Sequence, residues 1–123
     1  LVDQLNTRTP VHAVYQPWVV EYSIPEDTDV VVNATSIGLY PDINARIAIN
    51  YNTLSEKMVV CDVIPNPPQT HFVEEAKKRG AVALDGLGML VYQGAIGFKL
   101  WTGLEAPLDA MKQALMDEFG VSK

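Results

Sequence analysis

Three short stretches of this chain carry the residue types that ligand chemistry needs. The first is Asn33-Ala-Thr-Ser-Ile-Gly38, where small hydroxylated residues follow an apolar run and end on a glycine. Such a turn lets backbone come close to a ligand and offers Thr35 and Ser36 as hydrogen-bond donors. The same residues serve equally well as a strand-to-loop turn in which Asn33 and Ser36 satisfy backbone groups. The second, Asp62-Val-Ile-Pro-Asn66, places an acid at the end of an apolar run, with Pro65, Pro67 and Pro68 close behind. Asp62 either caps that loop or works beside a rigid proline turn that forms a wall against a flat ring. The third, Asp85-Gly-Leu-Gly-Met89, opens a nearly all-apolar segment that runs to Gly103. Its uncharged polar side chain in mid-segment is Gln93. Buried in so apolar a helix, Gln93 needs partners for both its carbonyl and its amide, from backbone or from a polar ligand.

Other reactive residues point nowhere in particular. Cys61 lies inside an apolar run with no basic neighbour and reads as a packed, inert thiol. His12 and His71 have no partnering cysteine or carboxylate cluster and read as surface residues, so no metal site is expected. No phosphate-binding P-loop is present. Gly86-x-Gly88 alone only echoes a dinucleotide fingerprint, because it lacks the third glycine and does not open a first βαβ unit. No Ser-His-Asp set or Cys-His pair can be assembled.

The elements that must position these stretches follow from the hydropathy pattern. Leu1, Val2 and Leu5 are expected to face inward from a helical tail that Asn6-Thr7 and Pro10 terminate. Val11-His-Ala-Val-Tyr15 reads as a short strand, and Pro17 to Asp27 as a loop with a short extended piece. Asp29 to Ala34 and Met58 to Ile64 read as strands buried on both faces of a parallel sheet. The long polar connection Leu39 to Lys57 holds one helical turn near Thr53. Thr70 is the expected N-cap of a helix through Arg79, with Glu74–Lys78 and Glu75–Arg79 pairs on its solvated side and Gly80 as its stop. Ala81 to Leu84 is a third strand, leading into a tight turn at Gly86 and Gly88. The helix after it carries Leu87, Leu90, Val91, Ala95, Phe98 and Trp101 on one stripe, with Met89, Ile96 and Leu100 on another, so burial over most of its surface is expected. Pro107 opens a last amphipathic helix with Leu108, Met111, Leu115 and Phe119 inward, ended by Gly120.

Strands alternating with helices indicate an α/β fold with a parallel sheet and right-handed crossovers. In such sheets ligands bind at the carboxyl ends of the strands, where all three stretches fall. The composition agrees with one globular domain or part of one: 48% hydrophobic, 20% charged, one cysteine, net charge −6. That charge, with 9 Lys and Arg, argues against a nucleic-acid partner. No apolar run reaches the ~18 residues that suggest a membrane span. A lone cysteine fits a reducing compartment, and a cytoplasmic location is expected. The chain opens on Leu1-Val2-Asp3-Gln4-Leu5 without an initiator Met, and reads as a fragment.

Together, Asn33-Ala-Thr-Ser-x-Gly-Leu39, Asp62-Val-x-x-Asn-Pro-x-x-Thr70, Asp85-Gly-Leu-Gly-Met-Leu-Val-x-Gln-Gly-Ala95 and Leu100-Trp-Thr-Gly103 resemble the shikimate dehydrogenase family, including its quinate/shikimate members. The resemblance runs from about residue 28 to residue 103, with the motifs in the family's order. It implies a two-domain enzyme that moves a hydride between NADP or NAD and the C3 hydroxyl or ketone of a cyclohexene carboxylate. Residues 1–123 are then the C-terminal half of the Rossmann-like cofactor domain plus the final helices. The family's substrate domain, its catalytic Lys and Asp, and its Gly-rich phosphate loop are missing from the chain, so no catalytic residue is assigned here and the fragment alone is expected to be inactive. Carried over by position, Ala34, Thr35 and Ser36 lie along the cofactor, Val63 and Gly86 near the nicotinamide, and Met89 against its ring. Gln93 binds the substrate. The implied partners are the small-molecule acid and the rest of the same protein, with no nucleic acid and no membrane; a homodimer is compatible with the family. One position departs from the pattern: many members have Tyr in Asp-Val-x-Tyr-Asn-Pro, where this chain has Pro65. Proline offers neither a hydroxyl nor an N–H, which puts the identity of the acid in question. The alternative reading is a non-catalytic binding or regulatory module that keeps the family fold.

Overall fold

A computed structural model describes residues 1–18 and 20–120; Val19, inside the expected loop, lies outside the described residues. Helix α1 (Val2–Arg8) comes first, and three short strands form a parallel sheet in the order β1-β2-β3: β1 (Val30–Asn33), β2 (Val59–Asp62) and β3 (Val82–Leu84). A single 3-10 turn, Tyr51–Thr53, interrupts the connection from β1 to β2. Helix α2 (His71–Lys78) makes the crossover from β2 to β3. Helices α3 (Gly86–Thr102) and α4 (Leu108–Glu118) follow and pack on each other.

The local signals for α2 act as expected. The Thr70 hydroxyl accepts from Val73 N at 3.3 Å, satisfying one of the free amides of the first turn. Phe72, Val73 and Ala76 turn inward, three and four residues apart. Gly80, at φ +80°, supplies the left-handed residue that ends the helix. Arg79 pairs with Glu75 at 2.5 Å, but Lys78 also goes to Glu75, at 2.8 Å, and not to Glu74. At i,i+3 the Glu75 carboxylate is simply the nearer anion.

The sheet has a covered and an uncovered face. Side chains alternate across a strand, so Val31, Val60 and Ala83 share one face and Val30, Val32, Val59, Cys61, Val82 and Leu84 the other. The first face lies on the core of Ile24, Ile47, Ile49, Leu54, Met58, Phe72, Ala76 and Ala81. The second stands open, with Val30, Val32, Val82 and Leu84 all 52% exposed or more. The expectation that β1 is buried on both faces is therefore not met: nothing among the described residues covers its second side.

Other expectations fail in the same way. Helix α3 is apolar nearly all round, yet only Gly86, Leu87 and Val91 are buried. Leu90, Ala95 and Phe98 are half-buried, while Ile96, Leu100 and Trp101 stand in solvent. Leu1 is 88% exposed, and α1 buries no residue. Val11 to Tyr15 forms no strand. Its backbone at Ala13 is met instead by the Asn6 side chain, which accepts from Ala13 N and donates to Ala13 O. Without a neighbouring strand, β-propensity has no ladder to join. Gly86 and Gly88 lie in the first turn of α3, not in a separate tight turn, because Asp85 caps the helix directly. At the far end Gly103, at φ +73°, stops α3 as expected, and Gly120 follows α4 at φ +65°.

Candidate functional site

The carboxyl ends of β1 and β2 are tied by a buried polar relay. Asn33 and Asp62 are register partners across the two strands, 4% and 3% exposed. Asp62 accepts from Asn33 Nδ2 at 3.1 Å, from Ile64 N at 3.0 Å and from the Thr70 hydroxyl at 2.6 Å. A carboxylate has no proton to give, so the Asn33 amide must turn its nitrogen to Asp62 and its carbonyl outward. That carbonyl accepts from Thr35 N at 3.1 Å and from the Thr35 hydroxyl at 2.7 Å. The Thr35 oxygen in turn accepts from Ile37 N at 3.2 Å. Burying these groups is tolerable because each finds a partner. In this arrangement the Thr35 hydroxyl proton is used inside the protein. Ala34, Thr35 and Ser36 remain exposed at the edge.

The loops after β1 and β2 are joined as well. Gly38, at φ +96°, turns the chain beside Ile64, and Tyr40 N donates to Asn66 O at 3.0 Å. Tyr40–Pro41 and Asn66–Pro67 are cis peptide bonds. Val63 and Pro65 are half-buried along this loop.

The start of α3 is set against the same loop. Asp85 accepts from Leu87 N at 3.1 Å as N-cap and from Gln69 Nε2 at 3.3 Å, while Lys77 Nζ donates to Gln69 Oε1 at 2.5 Å. Any β-carbon on Gly86 would run into the Ile64 carbonyl and sit 2.8 Å from Pro65 N. Gly86 is needed for backbone packing on backbone, which is a different reason from the ligand approach expected of it. A β-carbon added at Gly88 would meet nothing within 4 Å, so the helix start is open ground there. Met89 is 47% exposed, and Gln93 is exposed four residues on, on the same helix face. The premise that Gln93 is buried and in need of protein partners is overturned: water can satisfy it.

Two isolated residues also differ from expectation. His71 is not a surface residue: burial, with Arg46 beside it, lowers its pKa, and its Nδ1 is buried without a partner. Its ring meets Tyr51 edge-on at 5.2 Å, and burial raises the Tyr51 pKa. Cys61 is half-buried on the open sheet face, less enclosed than its apolar neighbours implied. His12 is exposed. Among the described residues no His, Cys, Asp and Glu group could hold a metal, and no helix is long and apolar enough to cross a membrane.

The three stretches thus converge, with Asn33, Thr35, Asp62 and Thr70 in one network and Gly86 and Asp85 locked to the β2 loop. Sequence reasoning missed Gln69 as the partner of Asp85 and missed the link from Asp62 to Thr70. A cavity of about 380 Å³ beside β1 reaches the network only at Asn33 and Thr35; Trp18, Tyr22, Ile49 and Phe72 make much of its apolar wall.

Comparison with known proteins gives a consistent neighbourhood. Residues 86–116 match the model of the Shikimate 5'-dehydrogenase C-terminal domain. The chain is 46% identical over 93 residues to the shikimate dehydrogenase (NADP(+)) of Methanocaldococcus jannaschii, which covers 76% of this chain and 33% of that protein. Among solved structures it is similar to the 5-ketofructose reductase of Gluconobacter sp. strain CHM43, with TM-score 0.86, 44% identity, and 96% of this chain and 42% of that one covered. It is also similar to a shikimate dehydrogenase solved in complex with NADP+, with TM-score 0.71 and 46% identity, over 77% of this chain and 32% of that one. The chain spans about a third of the length of the curated relatives it matches.

Proposed function

Because the chain belongs to the shikimate dehydrogenase family, we propose that residues 1–123 are the C-terminal part of the cofactor domain of an NADP(H)-dependent oxidoreductase. In this reading the intact protein interconverts 3-dehydroshikimate and shikimate in the cytoplasm. Its substrate domain and Gly-rich phosphate loop belong to the rest of the polypeptide. The open sheet face supports that assignment, since parallel sheets occur with both faces covered.

The observation that carries the reading is the edge itself, where the turn after β1, the loop after β2 and the start of α3 are held together by direct contacts. The residues present fit the nicotinamide half of a dinucleotide: half-buried Val63, half-exposed Met89 and open ground at Gly88 offer an apolar, unobstructed surface for a flat ring. The dinucleotide, when bound, supplies a hydride acceptor or donor at its nicotinamide. Ala34, Thr35 and Ser36 line its length, Val63 and Gly86 its nicotinamide end, and Met89 the ring. Gln93, exposed and without a hydrogen-bond partner among the described residues, binds the substrate. Proton transfer is left to residues outside this chain.

One comparison favours a second substrate. The 5-ketofructose reductase aligns with 96% of the chain, against 77% for the NADP+-bound shikimate dehydrogenase. A polyhydroxylated ketone has no ring carboxylate to hold, and Pro65 brings no donor to hold one. The intact protein, assayed with shikimate and NADP+ and separately with 5-ketofructose and NADPH, separates these readings. Turnover of neither, with no binding of NADP(H), leaves the non-catalytic module. For whichever substrate turns over, Gln93→Ala should raise KM or lower kcat/KM about tenfold for each ~1.4 kcal/mol lost. Stability should stay within about 0.5 kcal/mol, as for other exposed positions. A large fall in melting temperature with unaltered kinetics would make Gln93 structural.

A further inference from the structure

We propose that Asp62 is a positioning residue for the turn Thr35–Ile37, setting its cofactor-facing conformation through Asn33; the proposal rests on the dinucleotide reading of this edge. Each partner of the Asp62 carboxylate is a donor, so it fixes the direction of every bond beyond it. The Asn33 amide cannot flip without aiming its carbonyl at a carboxylate and its N–H2 at Thr35 N–H. With the amide fixed, Thr35 must donate its hydroxyl proton inward, and its oxygen then collects Ile37 N. The backbone of Thr35 and Ile37 is therefore ordered by one group buried at the next strand's end, 27 residues from Thr35 and itself 3% exposed.

Direction makes this more than a structural bond. Asp62 also holds Ile64 N and the Thr70 cap, and a residue with only that duty would affect stability alone. A positioning residue affects cofactor affinity too, and does so through Thr35. Thr35 is exposed, so Thr35→Val cuts the relay at its outer end without emptying the core.

The test is a double-mutant cycle on the dissociation constant for NADP+ in the intact protein, using Asp62→Ala, Thr35→Val and the pair. Asp62→Ala removes the acceptor of Asn33 Nδ2 together with those of Ile64 N and Thr70, and Asn33→Leu, which breaks the same link while Asp62 keeps Ile64 N and Thr70, takes its place in the cycle where Asp62→Ala does not fold. Each single change should weaken NADP+ binding roughly fivefold, the size of one lost hydrogen bond, and the pair should be no weaker than the worse single. Multiplying effects, or a lower melting temperature with unchanged NADP+ affinity in Asp62→Ala or Asn33→Leu, would overturn the proposal and leave the dinucleotide reading intact. A wild-type protein that binds neither NADP+ nor NAD+ would remove both.

Discussion

The two faces of the sheet are built from nearly the same residues and fare differently. Val31, Val60 and Ala83 lie on a core that α2 closes, and Val60 is wholly out of solvent. Val30, Val32, Val82 and Leu84, in the same strands and one residue away, are each more than half exposed. Hydropathy states what a strand needs, and only neighbouring elements decide whether it gets it. The candidate site lies at the carboxyl ends of the strands, and its relay hangs from the covered face, where Asn33 and Asp62 end β1 and β2.

The comparison can be tested by removing apolar bulk from each side. Phe72 is 3% exposed beneath the covered face, so Phe72→Ala should cost about 3–5 kcal/mol in urea unfolding of this chain. A loss under ~1 kcal/mol would mean that this core is not the stabilising side. On the open face, Leu84→Ser should change the stability of this chain by no more than about 0.5 kcal/mol, as at other exposed sites. In the intact protein the same change should cost about 1.5–3 kcal/mol, the value of a buried leucine. Equal effects in the two settings would show that nothing else covers the face.

The smallest expected effect is a pH dependence from the covered side. His71 has a folded pKa below its usual 6.5, from burial and Arg46, so the unfolded chain binds its proton more readily. Stability is full above that value and falls as pH drops through it. Glu75, held at about 2 by Lys78 and Arg79, stays charged over this window and adds no slope until pH falls below 4.5. Melting temperature measured from pH 7.5 to 5.5 should decline in the wild type and decline less in His71→Gln. Identical slopes would assign the dependence elsewhere.

Much of this was legible in the sequence, for local reasons. Thr70 as N-cap, Gly80 and Gly103 as stops, and the strands themselves are decided within a few residues. The convergence of the three stretches followed from strand order in a parallel sheet. What was not legible depends on partners distant in sequence. The pairing of Asn33 with Asp62 needs the register of two strands, and Gln69 finds Asp85 only once α2 has brought it back. The exposure of Gln93 and Trp101 is harder still, since an apolar helix reads as buried whether or not its cover lies within the chain. Val11 to Tyr15 failed for the same want of a neighbour.

Gly86 has a mechanical consequence. Side chains between two elements act as padding, because a change of rotamer can take up a shift of a few tenths of an ångström. At Gly86, where α3 meets the Ile64–Pro65 backbone, there is no such padding. A shift of the helix start at Gly86 cannot be taken up by a rotamer there, and the loop it meets is in turn tied to the loop after β1, where Tyr40 N donates to Asn66 O. The helix start and the loop after β2 thus meet as two bare backbones, with a single glycine as the bearing between them.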